Sequence, residues 1–336
     1  MTAVSTAQAM GFNGAVETMV LPESARPTVL PTARLLESGK PVAELRRSLR
    51  EISNVRNAIS VAAVWIWTAL IVGIAVGIDT WWSVLLGFIL MGPMHARFAI
   101  LMHEAAHRLL FTKTAVNDLV GNLLIAAPAL VPLSIYRRSH MAHHREEFGP
   151  SEPDIAFYRG YPTTRAALLR RLVRDAVGIS GWKNLTPLFK ALRSAQGRAI
   201  AGPILGAQAV LVVAFWIGTG AWWAYLVFWL LPWMTQWRVL NRLRAIAEHG
   251  GLQASSDRRV TTHNVAQHLW SQFWFVPYNT GWHLAHHVDM GIPFRKLPAF
   301  HRELERAGYA TPENTYPSYL ALWRAATSAA VEPAKP

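Results

Sequence analysis

The sequence predicts an all-α integral membrane protein, with four transmembrane helices in two hairpins and a cytoplasmic helical cap that carries a metal site. Three observations predict it. Four apolar runs fall in two pairs, each pair joined by a very short turn. Lysine and arginine are missing from both turns and crowd the segments on the other side. Histidine gathers in three short clusters just beyond the apolar runs.

Composition narrows the class first. Of 336 residues, 52% are hydrophobic, 15 are Trp and only 16% are charged, against roughly 25% charged in soluble domains. The net charge of +13 raises the question of nucleic acid. The positive residues flank apolar runs, however, which suits membrane topology rather than a nucleic-acid face. There is no cysteine, which excludes a disulfide scaffold, a cysteine zinc site and a built-in iron–sulfur module. With 13 histidines, imidazole is the plentiful transition-metal ligand.

Along the chain, residues 1–40 mix Ala, Ser, Thr, Gly and Pro without periodicity and read as a disordered N-terminal tail. Residues 41–57 alternate Glu44, Arg46, Arg47, Arg50 and Glu51 with Val42, Leu45, Leu49 and Ile52. That is the period of an amphipathic helix lying on the membrane surface. The membrane domain spans 58–310, and 311–336 forms a C-terminal tail. The apolar runs cover 58–78, 80–94, 200–217 and 222–237. A crossing needs roughly 20 residues. The second and fourth runs are short by hydropathy but continue as helix into polar sequence. A fifth stretch, 119–133, is interrupted by Pro128 and Pro132 and reads as a half-inserted or surface hairpin. By the positive-inside rule both termini and the long central segment are cytoplasmic, and a bacterial inner membrane is the expected location.

The clusters are His103-Glu104-Ala105-Ala106-His107, His140-Met141-Ala142-His143-His144 and His283-Leu284-Ala285-His286-His287. Residues three and four apart share a helix face, so each cluster can turn two or three imidazoles toward one place. Glu248-His249 lies about 12 residues past the fourth run, much as the first cluster lies beyond the second run. At about 1.5 Å per residue both helices carry their histidines some 18–20 Å past the apolar boundary. Eight or nine imidazoles exceed what one ion holds, so two metals are implied. Two other classes bind metal through histidine. A metal transporter would hold its ligands near the bilayer midplane, whereas these lie beyond the apolar runs. The pentapeptide from His103 to His107 also fits the HExxH helix of a zinc hydrolase with Glu104 as base, but that leaves the other two clusters without a role.

The three clusters, in this order and placed this way relative to two helical hairpins, resemble the histidine boxes of the membrane fatty acid desaturase and hydroxylase superfamily, bacterial type. The resemblance covers residues 58–303. It extends to Ser151-Glu152-Pro153-Asp154, Thr261-Thr262-His263-Asn264-Val265, Asn279, Leu297-Pro298 and His301. It implies a di-iron centre held by His103, His107, His140, His143, His144, His283, His286 and His287, with His249 as ninth ligand by position. Glu104, Glu248, Asn279 and His263 are candidates for supporting those ligands, while His95 reads as a buried, hydrogen-bonded histidine. Two reduced irons can activate O2, the co-substrate, and remove hydrogen from an unactivated methylene, a task beyond acid–base side chains. The implied reaction is desaturation of a fatty acyl or similar long apolar chain, from an acyl lipid or a free fatty acid. Hydroxylation, ketolation or terminal-alkene formation would use the same scaffold. With no cysteine and no His-Pro-Gly-Gly haem motif, electrons must come from an external carrier such as ferredoxin with its reductase. The first box is HxxxH rather than the HxxxxH of acyl-CoA desaturases, Ala245 stands where those enzymes place an amide, and the third box opens with His283 rather than Gln.

Overall fold

The computed structural model describes residues 18–329. After a short helix α1 (Ala43–Leu49), α2 (Asn54–Ile78) and α3 (Trp81–Ala106) form an antiparallel hairpin. Its turn is chemically determined. Asp79 takes the left-handed conformation at φ 51°, which short polar residues tolerate. The Thr80 hydroxyl then accepts from the Ser83 backbone N–H to cap α3. Three described helices are long and apolar enough to cross a membrane: α2, α3 and a later helix, Ala195–Thr219. The apolar window of α3 is 61% buried, against 28% in each of the other two. α3 is therefore the central helix, and the others face outward with Ile66, Leu70, Ile74, Val210 and Val213 exposed. Trp81, Trp82 and Trp222 are exposed at the turn end, where aromatic residues mark the membrane–water boundary.

The stretch beyond α3 folds back as α4 (Thr114–Val120) and a π turn, Gly121–Ala126. Thirteen residues of helix reach only about 20 Å, too little to cross. The irregular turn that follows, with Leu130 at φ 61°, would strand its carbonyls in an apolar setting. They are met by buried donors instead. Gln208 donates to Ala127, Trp229 to Pro128 and Trp233 to Ala129, at 2.8, 3.1 and 2.8 Å.

From there run α5 (Leu133–Arg145), a short turn α6 (Ile155–Tyr158), and the pair α7 (Arg165–Ala176) and α8 (Ile179–Ala191), which the sequence reading did not single out. The membrane-length helix α9 (Ala195–Thr219) follows and ends at Gly220, left-handed at φ 71°. The fourth apolar run, read as helix continuing into polar sequence, is broken. It comprises a π turn (Leu226–Leu230), a single turn α10 (Leu231–Met234), a non-helical Thr235, and α11 (Gln236–His249). Pro232 is the cause. It has no N–H for the Phe228 carbonyl and its ring crowds that carbonyl, so the ladder slips.

The remaining elements cap the bundle. They are α12 (Arg258–Thr261), β1 (Asn264–Val265), α13 (Leu269–Trp274), α14 (His283–Val288), α15 (Leu297–Arg306), β2 (Thr315–Tyr316) and α16 (Tyr319–Ala326). The two strands pair in parallel, Asn264 opposite Thr315 and Val265 opposite Tyr316. α1 differs from the expected surface helix over 41–57. It has seven residues, Leu45 and Leu49 are buried in the protein, and Arg46 and Arg50 clamp Asp289 at 2.6 and 2.8 Å. Of the segment expected as a disordered tail, residues 1–17 lie outside the described residues, and 18–40 lie along the cap. Met19, Leu21, Val29 and Leu35 are buried there, and Arg34 pairs with Glu303. Irregular spacing hid four apolar anchors. Residues 311–329 are likewise packed, with Leu322 and Ala326 buried and Trp323 donating to the Leu243 carbonyl at 2.9 Å, while 330–336 lie outside the described residues.

One close approach fixes α8 against the broken segment. A Cβ at Gly181 would stand 2.3 Å from the Met234 carbonyl oxygen, whereas one at Gly206 would meet nothing within 4 Å. Gly181→Ala is expected to destabilise the protein by about 1–3 kcal/mol through overpacking. Gly206→Ala is expected to be neutral or slightly stabilising. Thermal unfolding in detergent separates the two, and equal midpoints would contradict the packing described.

Candidate metal centre

All nine predicted ligands converge, and helical geometry sorts them into two sets. Residues four apart differ by about 40° around a helix and residues three apart by about 60° the other way. In each box with an adjacent pair, the i and i+4 imidazoles therefore stay together while the middle one swings across. One set gathers His103, His107, His140, His144 and His286, whose ring nitrogens lie within 4.8 Å of one another. In the other, His143, His249 and His287 meet within the same limit, and His283 joins them through its Nε2, 3.2 Å from that of His249 and 3.0 Å from that of His287. α3 supplies His103, and His107 is its C-cap; α5, α11 and α14 supply the rest.

The spacing inside each set is informative. Nε2 atoms face one another at 2.9 Å between His107 and His140, 3.1 Å between His140 and His144, and 3.0 Å between His144 and His286. Imidazole–metal bonds of about 2.1 Å at right angles leave neighbouring nitrogens about 3.0 Å apart. Where the partner of Nδ1 is visible, it fixes Nε2 as the bare lone pair. His143 donates Nδ1–H to Glu152 at 3.0 Å, His287 to Glu147 at 2.6 Å, and His249 to the Thr261 carbonyl at 2.8 Å. His249 and His287 thus both turn bare lone pairs on His283 Nε2, which can donate to only one of them, so the other contact repels unless a cation lies between them. His103 adds a second sign, since both its ring nitrogens are buried without a hydrogen-bond partner. The donor set therefore fits metal ions, and all-imidazole sites suit iron among the transition metals.

Electrostatics agree. Burial first, and neighbouring imidazoles second, hold His140, His144, His283, His286 and His287 well below the usual histidine range, the neutral form a metal requires. Burial also disfavours charge on His143 and Glu152, but their shared hydrogen bond prevails, raising the imidazole and lowering the carboxyl. Burial pushes Glu147 up against the opposing pull of Arg258, with which it pairs.

The supporting candidates fall in different places. Glu248 is engaged by Arg244 at 2.7 Å and lies 3.4 Å from His283 Nδ1. Glu104 turns from the imidazoles and accepts from the Phe294 backbone N–H at 3.0 Å. That position does not suit the base of a zinc hydrolase, and the five imidazoles of the set, His103 included, exceed the three ligands such a site uses. Asn279 is a turn residue at φ 66°, shaping the entry to α14. His263 donates its Nε2–H to the Gly250 carbonyl, 2.7 Å away, and its backbone N–H donates to the Glu248 backbone carbonyl. It fastens the end of α11 without joining either set. His263→Ala is expected to lower stability and metal retention modestly, well short of a ligand loss. A metal-free, inactive variant would place His263 among the ligands. His95 is buried and bonded to the Trp229 carbonyl at 3.0 Å. Sequence reasoning missed Glu147, the pairing of Arg258 with it, the clamp on Asp289, and the role of the Thr261 carbonyl in a motif it had otherwise singled out. Glu147 could have been found, standing four residues after His143 on the run that carries the second box.

A cavity of about 250 Å³ opens beside the second set, between α3, α5, α8 and α11, with Tyr136, Asp154, Tyr158 and Ala245 in its wall alongside His140, His143, His249 and His283. Burial pushes the Asp154 carboxyl up, so a protonatable group faces the cavity.

Outward-facing apolar helices and a buried double set of imidazoles define a membrane metalloprotein. The chain belongs to the fatty acid desaturase family, which matches residues 79–319, and is an oxidoreductase of that kind. It is 25% identical over 250 residues to dihydrorhizobitoxine desaturase of Bradyrhizobium elkanii, covering 69% of this chain and 70% of that one. It is 24% identical over 322 residues to the sn-1 oleoyl-lipid 12-desaturase of a Picosynechococcus species, covering 87% and 89%. A shorter match, 32% identical over 80 residues, joins 24% of this chain to 21% of an endoplasmic-reticulum omega-3 fatty acid desaturase of Nicotiana tabacum.

Proposed function

We propose that the protein is an O2-dependent di-iron desaturase that introduces a double bond into a fatty acyl or similar apolar chain, using electrons from a separate carrier such as ferredoxin with its reductase. The observation that carries this reading is the pair of imidazole sets, with Nε2 atoms facing one another at 2.9–3.2 Å. His103, His107, His140, His144 and His286 would hold one iron, and His143, His249, His283 and His287 the other. When bound, the irons supply the oxidising power to remove hydrogen from an unactivated methylene. The rest falls to the chain. Glu147, Glu152 and the Thr261 carbonyl orient the imidazoles and set their tautomers. The cavity presents one chain to the second set, and the buried cap excludes water from the chemistry.

In the membrane, α2 with α3 and α9 with the broken segment 221–235 make four crossings in two hairpins. The helical cap and both termini lie on the cytoplasmic side of a bacterial inner membrane, supported by the arginines at the cap end of the bundle. The test is lipid analysis of cells expressing the protein with a ferredoxin and its reductase. A new alkene that requires O2 supports the reading. A hydroxylated or carbonyl product with the same metal content would assign a different reaction to the same scaffold.

A further inference from the structure

The helical pair α7 and α8 carries an apolar stripe on its outer face, edged with positive charge. On α7, Leu169, Val173 and Val177 stand four residues apart along one side of the helix, and all three are exposed. On α8, Trp182 and Phe189 are exposed on a shared face, two turns apart. Four of these apolar residues are each followed directly by a cation: Leu169 by Arg170, Val173 by Arg174, Trp182 by Lys183 and Phe189 by Lys190. A step of about 100° around the helix sets each cation at the edge of the stripe. Residues 165–198 contain eight Lys or Arg and a single acid, Asp175, which is buried against Arg242. Arg170, Lys183 and Lys190 are exposed and form no ion pair among the described residues. Their charge is left for an outside partner.

The position of α8 says which partner. Near its start, Gly181 lies against the Met234 backbone at the end of the broken apolar segment. Its last residue, Ala191, is three residues from the start of the membrane-length helix α9. Both ends of α8, about 20 Å apart, therefore stand where apolar segments finish. Between them its inner face packs Leu185 and Leu188 into one cluster with Ala201, Ile204 and Trp233. α8 thus lies across the ends of the spanning segments, and its exposed apolar residues continue the lipid-facing side of α9. We propose that α7 and α8 lie in the plane of the bilayer surface, with Leu169, Val173, Trp182 and Phe189 among the upper acyl carbons and the neighbouring cations on the phosphates of anionic phospholipid. The proposal rests on the membrane placement described above and is independent of the reaction. Apolar and aromatic residues on one face with Lys and Arg beside them are what an in-plane helix requires. An acidic protein would use the cations and leave the exposed Leu, Val, Trp and Phe in water.

The test uses the full-length protein in nanodiscs and exploits its lack of cysteine. A single Val173→Cys variant carries a bimane fluorophore, and doxyl-labelled phosphatidylcholine or phosphatidylglycerol supplies the quencher. Val210→Cys, on the exposed side of α9, is the membrane control, and Ser256→Cys, exposed on the cap, is the water control. Both lipids are expected to quench at Val173, with phosphatidylglycerol effective at about fivefold lower mole fraction, the worth of one cation at an anionic surface. Arg170→Gln with Arg174→Gln should remove that preference and leave quenching by phosphatidylcholine intact, which also shows that the variant folds. Quenching at Val173 no stronger than at Ser256, or equal quenching by the two lipids, overturns the proposal. So does protection of Val173 from doxyl lipid by an added acidic ferredoxin, which would assign the face to a protein. Quenching at Val210 with none at Val173 refutes this inference alone, whereas no quenching at either position retires the membrane placement with it.

Discussion

His287→Ala is expected to abolish turnover and to strip the second imidazole set of its metal while leaving the helical fold in place. His287 is fully committed in the structure, with Nδ1 given to Glu147 at 2.6 Å and Nε2 placed 3.0 Å from that of His283. No neighbouring side chain can replace that nitrogen, because the remaining imidazoles of the set are already turned inward. The loss should exceed the roughly 10–100-fold typical of removing a supporting partner. His144→Ala is expected to behave in the same way for the first set, where His144 stands between His140 and His286. Metal analysis by mass spectrometry, together with product assay and circular dichroism, reads all three consequences. Full activity in either variant would remove that residue from the metal shell.

Glu147→Gln is expected to weaken metal binding about 10–100-fold while the protein still folds. The Glu147 carboxylate is nearly inaccessible, with 1% of its side chain exposed, and is shared between His287 and Arg258. Neutralising it removes the charge that makes His287 a better donor and leaves Arg258 without its partner. The opposed amide can also turn its N–H toward His287, favouring the wrong tautomer. Chelator challenge of the purified protein measures the effect, and the variant should release iron faster than the parent. Iron retention equal to the parent would show that the hydrogen bond between Glu147 and His287 has no bearing on the site.

Much of this site was legible because imidazole spacing is a local property of a helix. The pairs His103 and His107, His140 and His144, and His283 and His287 keep one face wherever the helices lie. His249 was singled out by its height above an apolar run, and α11, helical from Gln236 onward, brings it beside His143 and His287. The division of each HxxHH box between two sets was not legible, since it depends on where α5 and α14 meet in space. The broken segment before α11 was signalled by Pro232, but hydropathy alone reads through a proline. The packed termini escaped for a different reason. Met19, Val29 and Leu35 fill pockets formed by distant elements, and no periodicity in their own segment announces that. Arg46 and Arg50 looked like the polar face of a surface helix until Asp289, 239 residues beyond Arg50, was placed beside them.

The most direct test of the two-set arrangement is the metal content of the protein purified from iron-supplied cells, quantified per chain alongside its capacity to form an O2-dependent product. The account predicts close to two irons per chain, falling in His287→Ala, and a product whose formation stops without O2. One zinc per chain, with no O2-dependent product from any electron donor, would contradict it and return His103, Glu104 and His107 to the role of a hydrolase site.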